Sequence, residues 1–161
     1  MLEHRTAFIT GGSQGIGRQI ALTLSKEGAN VALAARSEGI YETADIHDED
    51  RTLPVETDVT NEEAVRKSIE STAEKFGGLD FLINNAGIAG PTAPIEEVES
   101  DEWDKTMNVN VRGMFYTVKH ALPYLKKSDS PSIVNISSIS GKRPLKNRTP
   151  YTASKMAVIG L

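Results

Sequence analysis

The chain has 161 residues, of which 39% are hydrophobic and 25% charged, with a formal net charge of -4; that is enough for one domain with a hydrophobic core, and it leaves no basic excess to neutralise nucleic-acid or anionic-membrane phosphates. With no cysteine there is no disulfide framework and no thiolate metal site, and the three histidines, His4, His47 and His120, have no metal-ligand spacing. No apolar run approaches the ~20 residues of a membrane helix and the N-terminus carries no signal-like apolar region, so the expectation is a cytoplasmic α/β protein with no metal, nucleic-acid or membrane partner.

In chain order, Arg5–Thr10 ("RTAFIT") reads as a strand, followed by a glycine-rich turn over Gly11–Gly17. Ile16, Ile20 and Leu24 then recur at helical spacing, with Gly28 just past the end. Asn30–Ala35 is a short buried strand. Residues 37–50 have weak periodicity, and their acidic run "DIHDED" reads as a solvated loop or helix end. Thr52–Thr57 is a third strand, against which Pro54 argues. Thr60 and Glu63 fit a capping box opening a helix with Val65, Ile69, Ala73 and Phe76 on its apolar face, ended by Gly77 and Gly78. Leu79–Asn84 is a strand. A long helix is expected over about Asp101–Lys126, with Trp103, Met107, Val111, Met114, Val118 and Leu122 on one stripe and a kink at Pro123. Ser132–Ser137 is a fifth strand, and Thr149 and Pro150 suit the N-cap and first position of a last helix. Strands alternating with helices imply a doubly wound parallel sheet, a Rossmann-like α/β fold in one domain over residues 1–161.

The turn "TGGSQGIG" lies where a first strand meets a first helix. Glycines there let the backbone approach a ligand, and the helix N-terminus favours phosphate. It is neither a P-loop, since Arg18-Gln19 replaces Lys-Ser/Thr, nor G-x-G-x-x-G; its glycines Gly11, Gly15 and Gly17 follow G-x-x-x-G-x-G. About 20 residues on, dinucleotide folds read the ribose with an acid for NAD or an arginine for NADP. The second strand here ends Ala35-Arg36, which favours NADP(H), with NAD(H) the alternative. A surface arginine with no ligand is the other reading of Arg36.

Three more motifs follow in order: "NNAG" at Asn84–Gly87, "NVNVRG" at Asn108–Gly113, and "YTASK" at Tyr151–Lys155, with Ser138 thirteen residues before the tyrosine. Together with the glycine turn, this set resembles the short-chain dehydrogenase/reductase family over nearly the whole chain. The resemblance implies Tyr151 as catalytic acid/base, Lys155 as its activator, Ser138 as the residue positioning the substrate carbonyl or hydroxyl, and Asn110 as holder of a relay water. It places the cofactor pyrophosphate on Gly11, Ser13, Gln14, Gly15, Ile16 and Gly17, adenine beside Asp58 and Val59, and the rest of the cofactor along Asn85, Ala86, Gly87, Tyr151 and Lys155. Ser137 is the neighbouring alternative to Ser138, since both hydroxyls leave the same strand end. The implied partner is a small carbonyl or alcohol substrate, and the implied assembly a homodimer or homotetramer through the long and last helices.

Elementary chemistry agrees with the acid/base pair. Residues i and i+4 share a helix face, a free tyrosine titrates near 10, far from neutrality, and a neighbouring ammonium favours the phenolate. The basic stretch "GKRPLKNR" (Gly141–Arg148) is either a solvated loop or a rim attracting an anionic substrate or the cofactor phosphate. The family pattern runs on beyond a Tyr/Lys helix to a sixth strand and a substrate-binding segment. The expectation is therefore an N-terminal portion of a longer enzyme, with a nucleotide-binding fragment without turnover, or a regulatory dinucleotide binder, as alternatives.

Overall fold

The computed structural model describes residues 2–45 and 49–161. Part of the acidic run, Ile46, His47 and Asp48, lies outside the described residues. Five parallel strands form one sheet in the order β3-β2-β1-β4-β5: β1 Thr6–Thr10, β2 Asn30–Ala35, β3 Thr52–Glu56, β4 Phe81–Asn84 and β5 Ser132–Asn135. The helices are α1 Gly15–Lys26, α2 Gly39–Ala44, α3 Glu62–Phe76, α4 Ser100–Met107, α5 Gly113–Leu125 and α6 Thr149–Gly160.

The central strand β1 is buried at all five positions. Phe8 stands in register with Ala32 and Leu82, and Ile9 with Leu33 and Ile83. Because successive side chains point to opposite faces, Phe8, Ala32 and Leu82 pack with Val65 and Ile69 of α3 and Ala121 and Leu125 of α5. Ile9, Leu33 and Ile83 pack with Ala21 of α1 and Ile40 of α2 on the other face. The order of the strands reverses at β1: the chain builds outward to β3, then returns to place β4 on β1's free side. In such sheets ligands bind in the crevice beyond the C-terminal strand ends at that reversal.

Several expectations are corrected. Pro54 does not exclude β3, because β3 is an outer strand with only β2 as neighbour, where a missing N–H is tolerated. The cap of α3 is Asn61, whose side chain accepts from Ala64 N at 3.0 Å, while Thr60 donates to Asp58 instead. Gly77 ends α3 in the left-handed conformation (φ 81°). The region 37–50 holds the short helix α2, with Ile40 fully buried. Four strands are shorter than expected, β1 and β3 by one residue each and β4 and β5 by two, and α6 begins at Thr149 with Arg148 before it. Pro123 lies inside α5, which ends two residues later.

The long helix is not continuous. Asn108–Arg112 forms a π-helical turn between α4 and α5. Its buried face carries Thr106, Asn110, Gly113, Thr117, Ala121 and Leu125, offset from the apolar stripe. Of the stripe, Met114 is buried, whereas Trp103 and Leu122, with neighbouring Phe115, are exposed. The inward positions need small and polar groups because they meet a polar network: Thr117 Oγ1 donates to Asn84 Oδ1 at 2.6 Å, and Asn84 Nδ2 to Asn135 Oδ1 at 3.0 Å.

Candidate active site

A cleft of about 270 Å³ opens at the strand reversal, bounded by Gly11, Ser13 and Gln14 on one side, Arg36, Asp58 and Val59 on another, and Ala86 and Gly87 on the third. Gly11 (φ 67°) and Gly15 (φ 55°) take left-handed conformations. A Cβ on Gly17 would fall 2.3 Å from Gly11 O and 2.5 Å from Asn85 Nδ2, so only glycine fits there. Gln14 precedes α1 without a side-chain cap and the first turn holds no acid, which leaves the N–H groups at that helix end available to an anion. Ile16, on this first turn, is exposed.

Asn85 is held by its neighbours. Its Nδ2 donates to Thr10 O (3.0 Å) and Gly11 O (3.2 Å), and its N–H donates to Thr10 Oγ1 at 2.9 Å. Ala86 N donates to the same Thr10 hydroxyl at 3.0 Å. Thus Asn85 buttresses the glycine turn, and the chain presents Ala86 and Gly87 to the cleft. Thr10 was not singled out from the sequence; its place at the strand end, before the first glycine, was the available signal.

Arg36 and Asp58 meet at the ends of β2 and β3, with Arg36 Nη1 3.8 Å from Asp58 Oδ2. Partial burial opposes ionisation of Asp58, but the N–H and hydroxyl of Thr60, donating to Oδ1 at 2.9 and 2.8 Å, and Arg36 beyond them outweigh it and hold the carboxyl below its ordinary value. The Arg36 side chain is 64% exposed, so its guanidinium has donors to spare for a ligand.

At the far end, Tyr151 and Lys155 lie one turn apart on α6, with Lys155 Nζ 5.8 Å from the tyrosine ring centroid. Lys155 is buried at 5% exposure, and Nζ donates to Ile136 O at 2.9 Å. No carboxylate pairs with it among the described residues; burial disfavours its charged form and lowers its pKa. A buried ammonium held by a carbonyl alone belongs to functional sites more often than to structural ones. The two serines differ: Ser137 Oγ donates to Lys155 O at 2.8 Å and is committed to the helix, while Ser138 lies at the strand exit and caps Ser140 N at 3.1 Å.

Asn110, on the π turn, is 1% exposed. Its Nδ2 donates to Ile88 O and Ser154 Oγ, both at 2.9 Å, and its Oδ1 accepts from Ile88 N at 2.8 Å. It therefore joins the Ala86–Ile88 segment to α6. The sequence places Arg148 only in the basic stretch Gly141–Arg148, read as a solvated loop or an anion-attracting rim. Its guanidinium carbon stands 5.1 Å from the Tyr151 ring centroid, opposite in chemical role to a free surface base, while Nη1 and Nη2 donate to Thr92 Oγ1 (2.8 Å) and Ala89 O (2.9 Å). Its place three residues before Tyr151, one helical turn away, was the signal.

A larger cleft, about 590 Å³, opens at the opposite end of the sheet, where three charged groups are paired internally: Arg5 with Asp80 (3.0 Å) and Asp129, and Asp80 with Ser128 (2.6 Å). Glu74 and Lys127 also line it, and it is remote from the strand reversal. No cluster of three or more His, Cys, Asp or Glu residues suited to a metal occurs among the described residues, and none of their helices is long and apolar enough to cross a membrane.

Comparison with known proteins matches this arrangement. The family model for short chain dehydrogenases matches residues 5–161. An uncharacterised oxidoreductase of Staphylococcus aureus is 42% identical over 159 residues, covering 98% of this chain and 68% of its own. A 3-ketoacyl-ACP reductase from Sinorhizobium meliloti is 39% identical with a TM-score of 0.92 over 96% of this chain. A carveol dehydrogenase from Mycobacterium avium, solved with NAD, is 29% identical with a TM-score of 0.94 over 99% of this chain. The chain spans 63% of the length of each of these two solved proteins. The glycine turn, the NNAG segment and the Tyr/Lys helix are thus met in one fold and one order, and the chain belongs to the short-chain dehydrogenase/reductase family.

Proposed function

We propose that this chain carries the cofactor site and the acid/base group of an NADP(H)-preferring oxidoreductase that interconverts a carbonyl and a secondary alcohol. One observation carries the reading: a buried ammonium with no carboxylate partner among the described residues, Lys155, stands one turn from Tyr151 and next to Gly87, which lines the cleft walled by the glycine turn. The residues suit a dinucleotide. The crowded Gly17 lets the backbone pass where a side chain could not, the uncapped end of α1 supplies N–H groups for pyrophosphate, and Ala86 and Gly87 offer a smooth wall. When bound, the nicotinamide supplies the hydride chemistry.

The chain's own residues do the rest. Tyr151 gives a proton to the carbonyl oxygen during reduction and takes it back during oxidation. Lys155, its activator in this reading, and Arg148 flank the tyrosine ring at 5.8 and 5.1 Å from its centroid, near the N-terminal end of α6. Ser138, the serine not tied to α6, orients the substrate oxygen. Both amide hydrogens of Asn110 are engaged, so a relay water would be held through its carbonyl oxygens. Arg36 meets the 2′-phosphate, which favours NADP(H) over NAD(H). The exposed apolar groups Trp103, Phe115 and Leu122, with Met156 and Ile159 on α6, support a homodimer or homotetramer.

The test removes one oxygen. Tyr151→Phe should lower the rate of NADPH oxidation with ketone substrates by about 10²- to 10⁴-fold, with cofactor affinity from a fluorescence titration little changed. Retention of more than about a tenth of the wild-type rate is incompatible with a general-acid role of that size.

A further inference from the structure

We propose that the substrate carries an anionic group, and that Lys142, Arg143 and Lys146, on the loop between Ser138 and Tyr151, recognise it. The proposal deepens the oxidoreductase reading and rests on its placement of Ser138 and Tyr151 at the reacting carbon.

Charge is distributed unevenly along the chain. Residues 130–161 contain Lys142, Arg143, Lys146, Arg148 and Lys155 but no aspartate or glutamate, although the whole chain has 22 acids against 18 Lys and Arg. The segment that supplies Ser138, Tyr151 and Lys155 therefore carries positive charge alone, as residues 105–128 also do in this acidic protein. Several surface bases elsewhere pair with acids: Arg66 with Glu63 and Glu70, Lys67 with Glu63, and Lys119 with Glu62.

Within the loop the bases divide by use. Arg148 is spent on Ala89, Thr92 and the Tyr151 ring. Lys142, Arg143 and Lys146 are exposed, and none has an ion-pair partner among the described residues.

The backbone beneath them is fixed at both ends. Lys142 N and Arg143 N donate to Ile139 O at 2.9 and 2.8 Å. Gly141 packs so tightly on α6 that a Cβ would fall 2.6 Å from Lys155 O. At the other end Asn147 is left-handed (φ 58°), a conformation asparagine tolerates, and its carbonyl accepts from Ala93 N at 3.0 Å. The loop thus sets where three unpaired positive charges start, a short distance along the chain from the catalytic serine and tyrosine. Each is worth little alone in water, but like charges without counter-charges reinforce one another over a Debye length of about 8–10 Å. A neutral carbonyl compound gains nothing from them; a carboxylate or phosphate ester does.

The test reads binding by calorimetric titration at low salt, with NADP⁺ present so that no hydride is available to a ketone. The probes are matched pairs: 4-acetylbenzoate against 4-methylacetophenone, and dihydroxyacetone phosphate against dihydroxyacetone. The wild-type protein should bind at least one anionic probe about tenfold more tightly than its neutral partner. The variant K142Q/R143Q/K146Q should lose that preference, as should the wild type at high salt; circular dichroism checks that the variant is folded. The carboxylate and phosphate arms tell which anion fits. Equal affinity within both pairs, or a preference that survives the triple substitution, overturns the proposal. Tyr151-dependent turnover of the neutral ketones with no anionic preference would sink it while leaving the oxidoreductase reading intact. Salt-sensitive anion binding lost in the variant, in a protein that oxidises no NADPH, would do the reverse.

Discussion

At the glycine turn, the groups that define the shape of the cleft have partners within the protein. Thr10 accepts from two backbone N–H groups, Asn85 spans two carbonyls, and Gly17 fills its space to van der Waals contact. At the α6 end the reverse holds. Lys155 is buried against a single carbonyl, three loop bases stand unpaired, and Ile133 and Val134 of β5 are 39% and 42% exposed. The first region is held by its own hydrogen bonds and packing; among the described residues, the second leaves several polar and charged groups with few partners. Binding calls for preorganisation, and chemistry calls for groups kept out of their most comfortable state.

The sharpest way to break this contrast is to crowd the organised end. Gly17→Ala forces a Cβ into Gly11 O and Asn85 Nδ2. Cofactor affinity should fall by about 100-fold or more, equivalent to ~3 kcal/mol, read by fluorescence titration. Gly15→Ala, where nothing lies within 4 Å of the added carbon, should show only the smaller cost of its φ of 55°.

Next in size is Arg36→Asp, which removes the phosphate partner and places an acid beside the ribose. The ratio of NADP to NAD affinity should drop about 10- to 100-fold. An unchanged ratio would return Arg36 to the role of a surface arginine.

The unsatisfied end predicts a gain. Burial holds the Lys155 pKa below the ordinary value for lysine. At pH values below that folded pKa the native state bears the cost of a buried charge. Stability then rises with pH as the proton leaves, up to the unfolded value of about 10.4. Lys155→Met removes the charge and should raise Tm by about 2–4 °C at neutral pH while hydride transfer is lost. Thermal unfolding followed by circular dichroism checks it, and a lowered Tm would show that Lys155 is structurally needed.

The smallest effect belongs to Asp58. Its folded pKa is depressed, so the stability it contributes is present above the ordinary carboxylate value of about 4 and is lost as pH falls through the lower folded value. With a side chain 40% exposed, the contribution is screened and small. The stability difference between wild type and Asp58→Asn should shrink steadily on acidification, measured by denaturant titration at a series of pH values.

What the sequence made legible was local. The glycine turn, the strand after it, and the Tyr151/Lys155 spacing each sit in a few contiguous residues whose chemistry is self-contained. Features decided by distant partners were not legible. The π turn at Asn108–Arg112 turns Asn110 toward Ile88 and Ser154, neither of them near it in sequence. The apolar stripe of α4 and α5 was only partly inward: Met114 is buried and Val118 packs on the core, but Trp103 and Leu122 are exposed, and an inward position is taken by Thr117, which donates to Asn84. That Ser137 is tied to the Lys155 carbonyl, eighteen residues on, was likewise decided by a distant partner. Pro54 misled for want of knowing that β3 would lie at the sheet's margin.

One oxygen atom, Thr10 Oγ1, receives the N–H groups of both Asn85 and Ala86. One side-chain hydroxyl at the end of β1 thus ties down the segment that follows β4. The hydrogen–deuterium exchange of these two amides should therefore report how firmly that segment is held against β1, a readout that can be followed whether or not a nucleotide is present.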